Sequence, residues 1–354
     1  MTDLDADVPG AELVDAAGSG PLTGVDDLAR RVEAGEFFWL DLAAPSPALV
    51  AKVADTLQLT EDLGQYLLSR EQRSEFDVSH GQIRVIAYGM QDEQKLAEVH
   101  VVYTGSCLIT RHDTSCPALG EARDRYQQLR DRDQGDAPLV LFMVLDALAA
   151  SFQSVLGRLD SALDELEANA LGGVVGSDDF QRILHIRRVL TPIIRAVGPY
   201  RSDLVGVLGA IHRLPGMGAG AQEYFDSHRN HVAAIHEYAN DCRDETRDAL
   251  QTYSSATADQ QGWVINWLTV VAAIFLPLTV VTSYFGMNFS VITGLHGWPV
   301  FIELGVVLPV LLVIASVVLL RDLMHRRGVR LLPPTRPPLA IHPVRTADRG
   351  EVDT

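Results

Sequence analysis

The chain has 354 residues, 47% of them hydrophobic, and a formal net charge of −17. That length supports two or three structural units with cores of their own and excludes a small stapled domain. The acidic balance repels nucleic-acid phosphates and suits cations, and Cys107, Cys116 and Cys242 stand at spacings that exclude both a disulfide framework and a CxxC metal site.

Residues 1–25 are acidic and rich in Ala and Gly, without the basic segment and apolar run of a secretory signal, and read as a flexible lead. From 26 to 135, β-type runs intermix with helical ones. EFFWLDL at 36–42 is stopped by APSP, and PALVAKVADTLQL carries helical spacing. QIRVIAYGM at 82–90 alternates like a strand, and AEVHVVYTGSCLITRH at 97–112 folds into a hairpin on Thr104-Gly105-Ser106. This mixture predicts an α+β cytoplasmic domain.

Beyond 135 the pattern is helical. Residues 138–171 contain no interior proline and end on Gly172-Gly173, and Ser177 is suited to cap a second amphipathic segment, so 136–221 reads as an antiparallel helical pair. A stalk helix over 222–262 follows. Along it Val232, Ile235, Ala239, Cys242, Thr246, Ala249, Tyr253 and Ala256 recur at steps of three and four. These residues are too small for a tight two-stranded coil; they suit either a loose ring of helices about an axis or an ordinary packing stripe within the chain.

Residues 263–285 carry no charge, and 299–320 carry one, Glu303. At 1.5 Å per residue each run spans a bilayer core of about 30 Å, so the two form a transmembrane hairpin around an outer loop at 286–298. The tail, 321–354, is basic and proline-rich, whereas the loop holds no Lys or Arg. This asymmetry places both termini on the cytoplasmic side of an inner (plasma) membrane, with the bilayer as one partner.

In the first span Leu268, Ala272, Leu276, Thr279 and Ser283 share one face, and Asn288 continues it past the helix end. Two readings fit. Copies of the face around an axis line a water-filled path, or the hydroxyls bond back to their own helix and the face packs against the second span. A hydrated Mg²⁺ presents only donor hydrogens outward and dehydrates reluctantly, so a collar of uncharged oxygens is suited to it.

FLPLTVVTSYFGMNF resembles the first transmembrane helix and signature loop of the CorA family of divalent cation channels, with Gly286, Met287 and Asn288 as the Gly-Met-Asn triplet. FFWLDLAAPS, EFDVSHGQIRVIAY and YFDSHRNHV are similar to the family's first strand, hairpin region and stalk start. The resemblance implies a funnel-shaped homopentamer that takes up Mg²⁺, with Co²⁺ or Ni²⁺ as passengers. In it the Asn288 ring is the selectivity filter, Thr279 and Ser283 face the pore, and Leu268 and Leu276 form apolar constrictions. No cofactor is implied beyond the transported ion and a regulatory Mg²⁺ at stalk and domain acids, for which Asp226 and Asp77 are the candidates.

Three departures stand out: Phe285 replaces the usual tyrosine, SVITGLHG replaces an acidic outer loop, and Asp226 is shifted by one position. His228 and His231, spaced i, i+3, are either exposed stalk histidines or a zinc-ligating pair, which keeps the family's zinc-transporting branch as an alternative. A membrane-anchored signalling or scaffold protein without transport is the other. No Ser/His/Asp order or phosphate-cradling glycine loop supports an enzyme.

Overall fold

The computed structural model describes residues 8, 10–15, 18–130, 137–171, 176–214, 217, 219–286, 302 and 307–326. The chain divides into two compact units, 1–165 with 180–249, and 166–179 with 250–354.

The first unit is built on a seven-stranded sheet of order β2-β1-β3-β7-β6-β5-β4. Its strands are β1 (Ala11–Asp15), β2 (Gly18–Pro21), β3 (Phe38–Ala43), β4 (Glu75–Ser79), β5 (Gln82–Met90), β6 (Leu96–Tyr103) and β7 (Cys107–His112). Only β3 and β7 pair parallel. The β6–β7 hairpin turns through Gly105 at φ 87°, a left-handed conformation that glycine adopts without steric cost. Residues 11–15 and 18–21 correct the expectation of a flexible lead: β1 pairs with β3, and β2 with β1. Alternation along β1 puts Ala11 and Val14 on opposite faces of the sheet, and both are buried, which anchors a short strand beside the buried β3.

Alternation also sorts β3 between two faces. Phe38, Leu40 and Leu42 join Ile109 and Val102 in a core closed by α1 (Val25–Ala34), α2 (Pro47–Thr56) and α3 (Glu61–Leu68), through Leu28, Val50, Val53, Leu63 and Leu67. On the other face a polar chain fixes α4 (Pro117–Arg130). Trp39 Nε1 donates to Thr110 Oγ1 at 2.8 Å, the Thr110 hydroxyl donates to Asp41 at 2.6 Å, and Arg123 Nη2 donates to the second Asp41 oxygen at 2.8 Å. Asp41 is buried, so these donors replace the water its carboxylate loses.

Three long helices follow: α5 (Ala137–Leu171), α6 (Ser177–Ile211) and α7 (Ala219–Gly286). α5 and α6 run antiparallel, with Arg182 Nη2 2.8 Å from Glu165 Oε2 near their junction. The stalk seam resolves toward packing within the chain. Val232, Ile235, Ala239, Cys242, Thr246 and Ala249 are all buried in a single chain, against α5 and α6. Periodicity alone does not distinguish such a stripe from a seam between chains.

The second unit contains the end of α7 and α8 (Leu308–Arg326). Among the described residues two helices are long and apolar enough to cross a membrane, but the apolar stretch of α5 is 61% buried and that of α7 only 6%. Burial makes α5 a core helix, whereas the exposed apolar stretch of α7 needs an apolar surrounding. α8 adds a shorter apolar stretch, Val310–Leu319, that is likewise largely exposed.

Candidate functional site

The end of α7 carries the sequence-predicted face. Leu268, Ala272, Leu276, Thr279, Ser283 and Gly286 are all exposed, Leu268 at 66% and Leu276 at 68%. At 100° per residue these six positions fall within an arc of roughly 80°. The residues of the same stretch that are not exposed, Val270, Val271, Ala273, Ile274, Pro277, Leu278 and Val281, lie about 140–300° round the helix. Val281 is only 8% exposed. The small and hydroxyl-bearing face therefore points away from the side that the chain itself covers.

Back-bonding occurs on this face as well, and it does not disable it. Thr279 donates its hydroxyl hydrogen to the Phe275 carbonyl at 2.8 Å. The donor is used inside the helix, and the oxygen lone pairs remain as outward acceptors. Thr282, on a neighbouring face, bonds the Leu278 carbonyl at 2.9 Å in the same way. Pro277 has no N–H for the Ala273 carbonyl, and the acceptor this releases lies toward the covered side of the helix, not on this face. Gly286 is the last residue of α7, and no atom lies within 4 Å of the position a Cβ would take there. Met287, Asn288 and Glu303 lie outside the described residues.

The regulatory candidates sit apart. Asp77 is on β4, where Arg84 Nε donates to its carboxylate at 3.2 Å and Ser79 Oγ at 2.8 Å. Burial favours its neutral acid, but these partners outweigh burial and hold the carboxyl below its ordinary value. Asp226, half-exposed on α7, pairs with Arg229 at 3.2 Å. Among the described residues no hydrogen bond or ion pair joins the two acids.

The histidines correct the picture of an exposed stalk pair. His228 is fully buried, with its Nε2 2.8 Å from the Tyr200 hydroxyl on α6 and its Nδ1 3.7 Å from Asp146 on α5. His231 Nδ1 lies 2.6 Å from the same Asp146 oxygen. Both imidazoles thus face one carboxylate between helices, His231 hydrogen-bonded to it and His228 at a longer distance. Asp146 escapes a sequence reading because it is 85 residues from His231, and no local pattern marks the pairing.

A family model described as CorA-like Mg2+ transporter protein matches residues 34–323. Among curated proteins the chain is 25% identical over 228 residues to the cobalt/magnesium transport protein CorA of Thermotoga maritima, which covers 63% of this chain and 64% of that one. It is 23% identical over 270 residues to the magnesium transport protein CorA of Haemophilus ducreyi, covering 74% of this chain and 84% of that one. The complete structure of the CorA magnesium transporter from Methanocaldococcus jannaschii superposes with a TM-score of 0.70 at 18% identity, over 89% of this chain and 98% of that one. At that identity the superposition shows a common fold.

Proposed function

The chain belongs to the CorA-like Mg2+ transporter family, and from that premise we propose that it conducts hydrated divalent cations, Mg²⁺ first and Co²⁺ or Ni²⁺ as passengers. The path is a homopentameric pore lined by one α7 from each subunit. The observation that carries this reading is the exposed face Leu268, Ala272, Leu276, Thr279 and Ser283, turned away from the residues the chain covers. One helix cannot enclose water, so such a face requires further copies of itself around an axis. Thr279 and Ser283 supply uncharged oxygens for the ion's water shell, and Leu268 and Leu276 supply rings where the path dewets.

Gly286, Met287 and Asn288 form the outer mouth, with the Asn288 carbonyl as the filter acceptor. The arginines after residue 320 hold both termini on the cytoplasmic side of the plasma membrane. Asp226 is the site at which cytoplasmic Mg²⁺ bridges neighbouring subunits and favours the closed ring, with Asp77 its partner only if the Arg84 pair opens.

The full chain reconstituted in proteoliposomes and loaded with a Mg²⁺ indicator tests the function. Mg²⁺ entry is the expected result, and native mass spectrometry should give five chains per particle. Entry of Zn²⁺ alone would transfer the protein to a zinc-transporting role, and no entry of any divalent ion would leave a membrane-anchored scaffold. For the regulatory site, protease cleavage of the purified protein should slow in millimolar Mg²⁺, and identical cleavage with and without the ion removes the mechanism.

A further inference from the structure

We propose that Asp160, Cys242 and Glu245 form a second cation site, within one chain between α5 and α7, whose occupant is a borderline-soft divalent ion such as Zn²⁺ or Co²⁺ and not Mg²⁺. The three ligand atoms lie within 4.8 Å of one another. A tetrahedral zinc with bonds of about 2.0–2.3 Å separates its ligand atoms by roughly 3.5 Å, so small rotations of the carboxylates close the set. Cys242 and Glu245 stand i, i+3 on α7, which puts them on one face, and Asp160 meets them from α5.

Three further features separate this group from a surface patch of acids. Cys242 has no exposed surface, and among the described residues no other side chain hydrogen-bonds its Sγ. A buried thiol aimed at two carboxylates has no structural partner there, whereas a metal ion would supply one. Asp160 is also oriented from outside the set, because the Tyr238 hydroxyl donates to its Oδ2 at 3.1 Å. Ligand carboxylates are held by supporting donors of this kind.

The charge is also uncompensated. Among the described residues no Lys or Arg forms an ion pair with Asp160 or Glu245. The two arginines nearest on α7, Arg243 and Arg247, are both engaged by Asp244 at 3.3 and 3.0 Å.

The donor set decides the class of ion. A thiolate with two carboxylates selects zinc, cobalt or nickel, whereas Mg²⁺ takes six oxygens in near-ideal octahedral geometry. Glu245 is exposed, so the ion enters past it and keeps a water as fourth ligand. All three ligands belong to one chain, so the stoichiometry is one ion per subunit. The site lies well before the apolar part of α7, and it does not depend on the transport reading.

The test is Co²⁺ titration of the full-length protein, purified in detergent and stripped with a chelator. One thiolate-to-cobalt charge-transfer absorption per chain is expected, displaced by equimolar Zn²⁺ and unaffected by millimolar Mg²⁺. Cys242→Ser should abolish it while Cys107 and Cys116 remain. Glu245→Gln, at an exposed position that folding tolerates, should weaken Co²⁺ binding by roughly 10–100-fold, the loss typical even of supporting groups around a metal. No absorption in the parent protein, an absorption that survives Cys242→Ser, or displacement of Co²⁺ by millimolar Mg²⁺ overturns the proposal.

Discussion

His231 and Asp146 meet at 2.6 Å, Nδ1 to Oδ1, and this contact ties α7 to α5 at the level where His228 is buried beneath Tyr200. Burial pushes His228 below the ordinary histidine value, despite the nearby Asp146. The neutral ring accepts from the Tyr200 hydroxyl at Nε2 and directs Nδ1–H toward Asp146. Asp146 is held below the ordinary carboxylate value, because the two histidines outweigh its own burial.

The signs of both shifts give a pH dependence. His228 stays neutral in the fold while the unfolded chain takes up a proton near 6.5, so this stability is complete above about pH 6.5 and is lost as pH falls below it. Asp146 adds stability present above about pH 4 and lost as pH falls through its depressed folded value. The thermal midpoint of the purified protein should therefore fall between pH 7.5 and 5. His228→Gln keeps both hydrogen-bonding roles without titrating, and should flatten that slope. Parallel slopes for the two proteins would show that other groups set the pH dependence.

Gly89 on β5 lies beneath α5. A Cβ there would sit 2.9 Å from Leu148 Cδ2 and 3.0 Å from Cys116 Sγ, both side chains of packed core. Gly89→Ala should destabilise the domain by about 1–3 kcal/mol through overpacking. Gly206, in α6 with nothing within 4 Å of its Cβ position, should gain about 0.5–1 kcal/mol as Ala from helix propensity. Denaturation midpoints that move together for both variants would contradict this packing.

Local pattern was enough to place most elements in the sequence. QIRVIAYGM at 82–90 coincides with β5, and 138–171 lies wholly within α5, which starts one residue earlier, because alternation and uninterrupted apolar spacing are properties of the segment itself. β2 is Gly-Ser-Gly-Pro and has no side-chain pattern; it is a strand only because β1 is beside it. The Asp146 pair and the Asp160–Cys242–Glu245 group join residues about 80 apart, and no window of sequence contains both ends. The exposed face of α7 was legible from its steps of three and four, while the buried seam before it had the same period and the opposite meaning.

Facing can be measured directly. In a background without the three native cysteines, single cysteines at Ala272, Thr279 and Ser283 should react with a membrane-impermeant thiol reagent, and the reaction should block Mg²⁺ entry. A cysteine at Val281, on the covered side of α7, should leave entry unchanged. Block at Val281 without block at Thr279 and Ser283 would place the water path on the other side of the helix.

Asn288 separates a filter from a helix cap. If its side-chain carbonyl accepts from the water shell of the entering ion, Asn288→Ala removes one acceptor per subunit at the same step. Each hydrogen bond to a donor polarised by the cation contributes about 1.5–3 kcal/mol, and a ring multiplies the loss, so Mg²⁺ uptake in a transport-deficient host should collapse. Assembly should survive, since a pore mouth that admits a hydrated ion is not packed core. Met287→Leu conserves volume and presents no acceptor in either form, so its effect should be mild. Asparagine also tolerates the left-handed geometry that ends helices, and a cap role predicts that Asn288→Gly, the better cap, transports normally. A filter role predicts that the glycine variant fails as completely as the alanine one. Uptake by Asn288→Gly at the level of the parent protein, at equal expression, would remove Asn288 from the filter and leave the Thr279 and Ser283 oxygens as the selective part of the path.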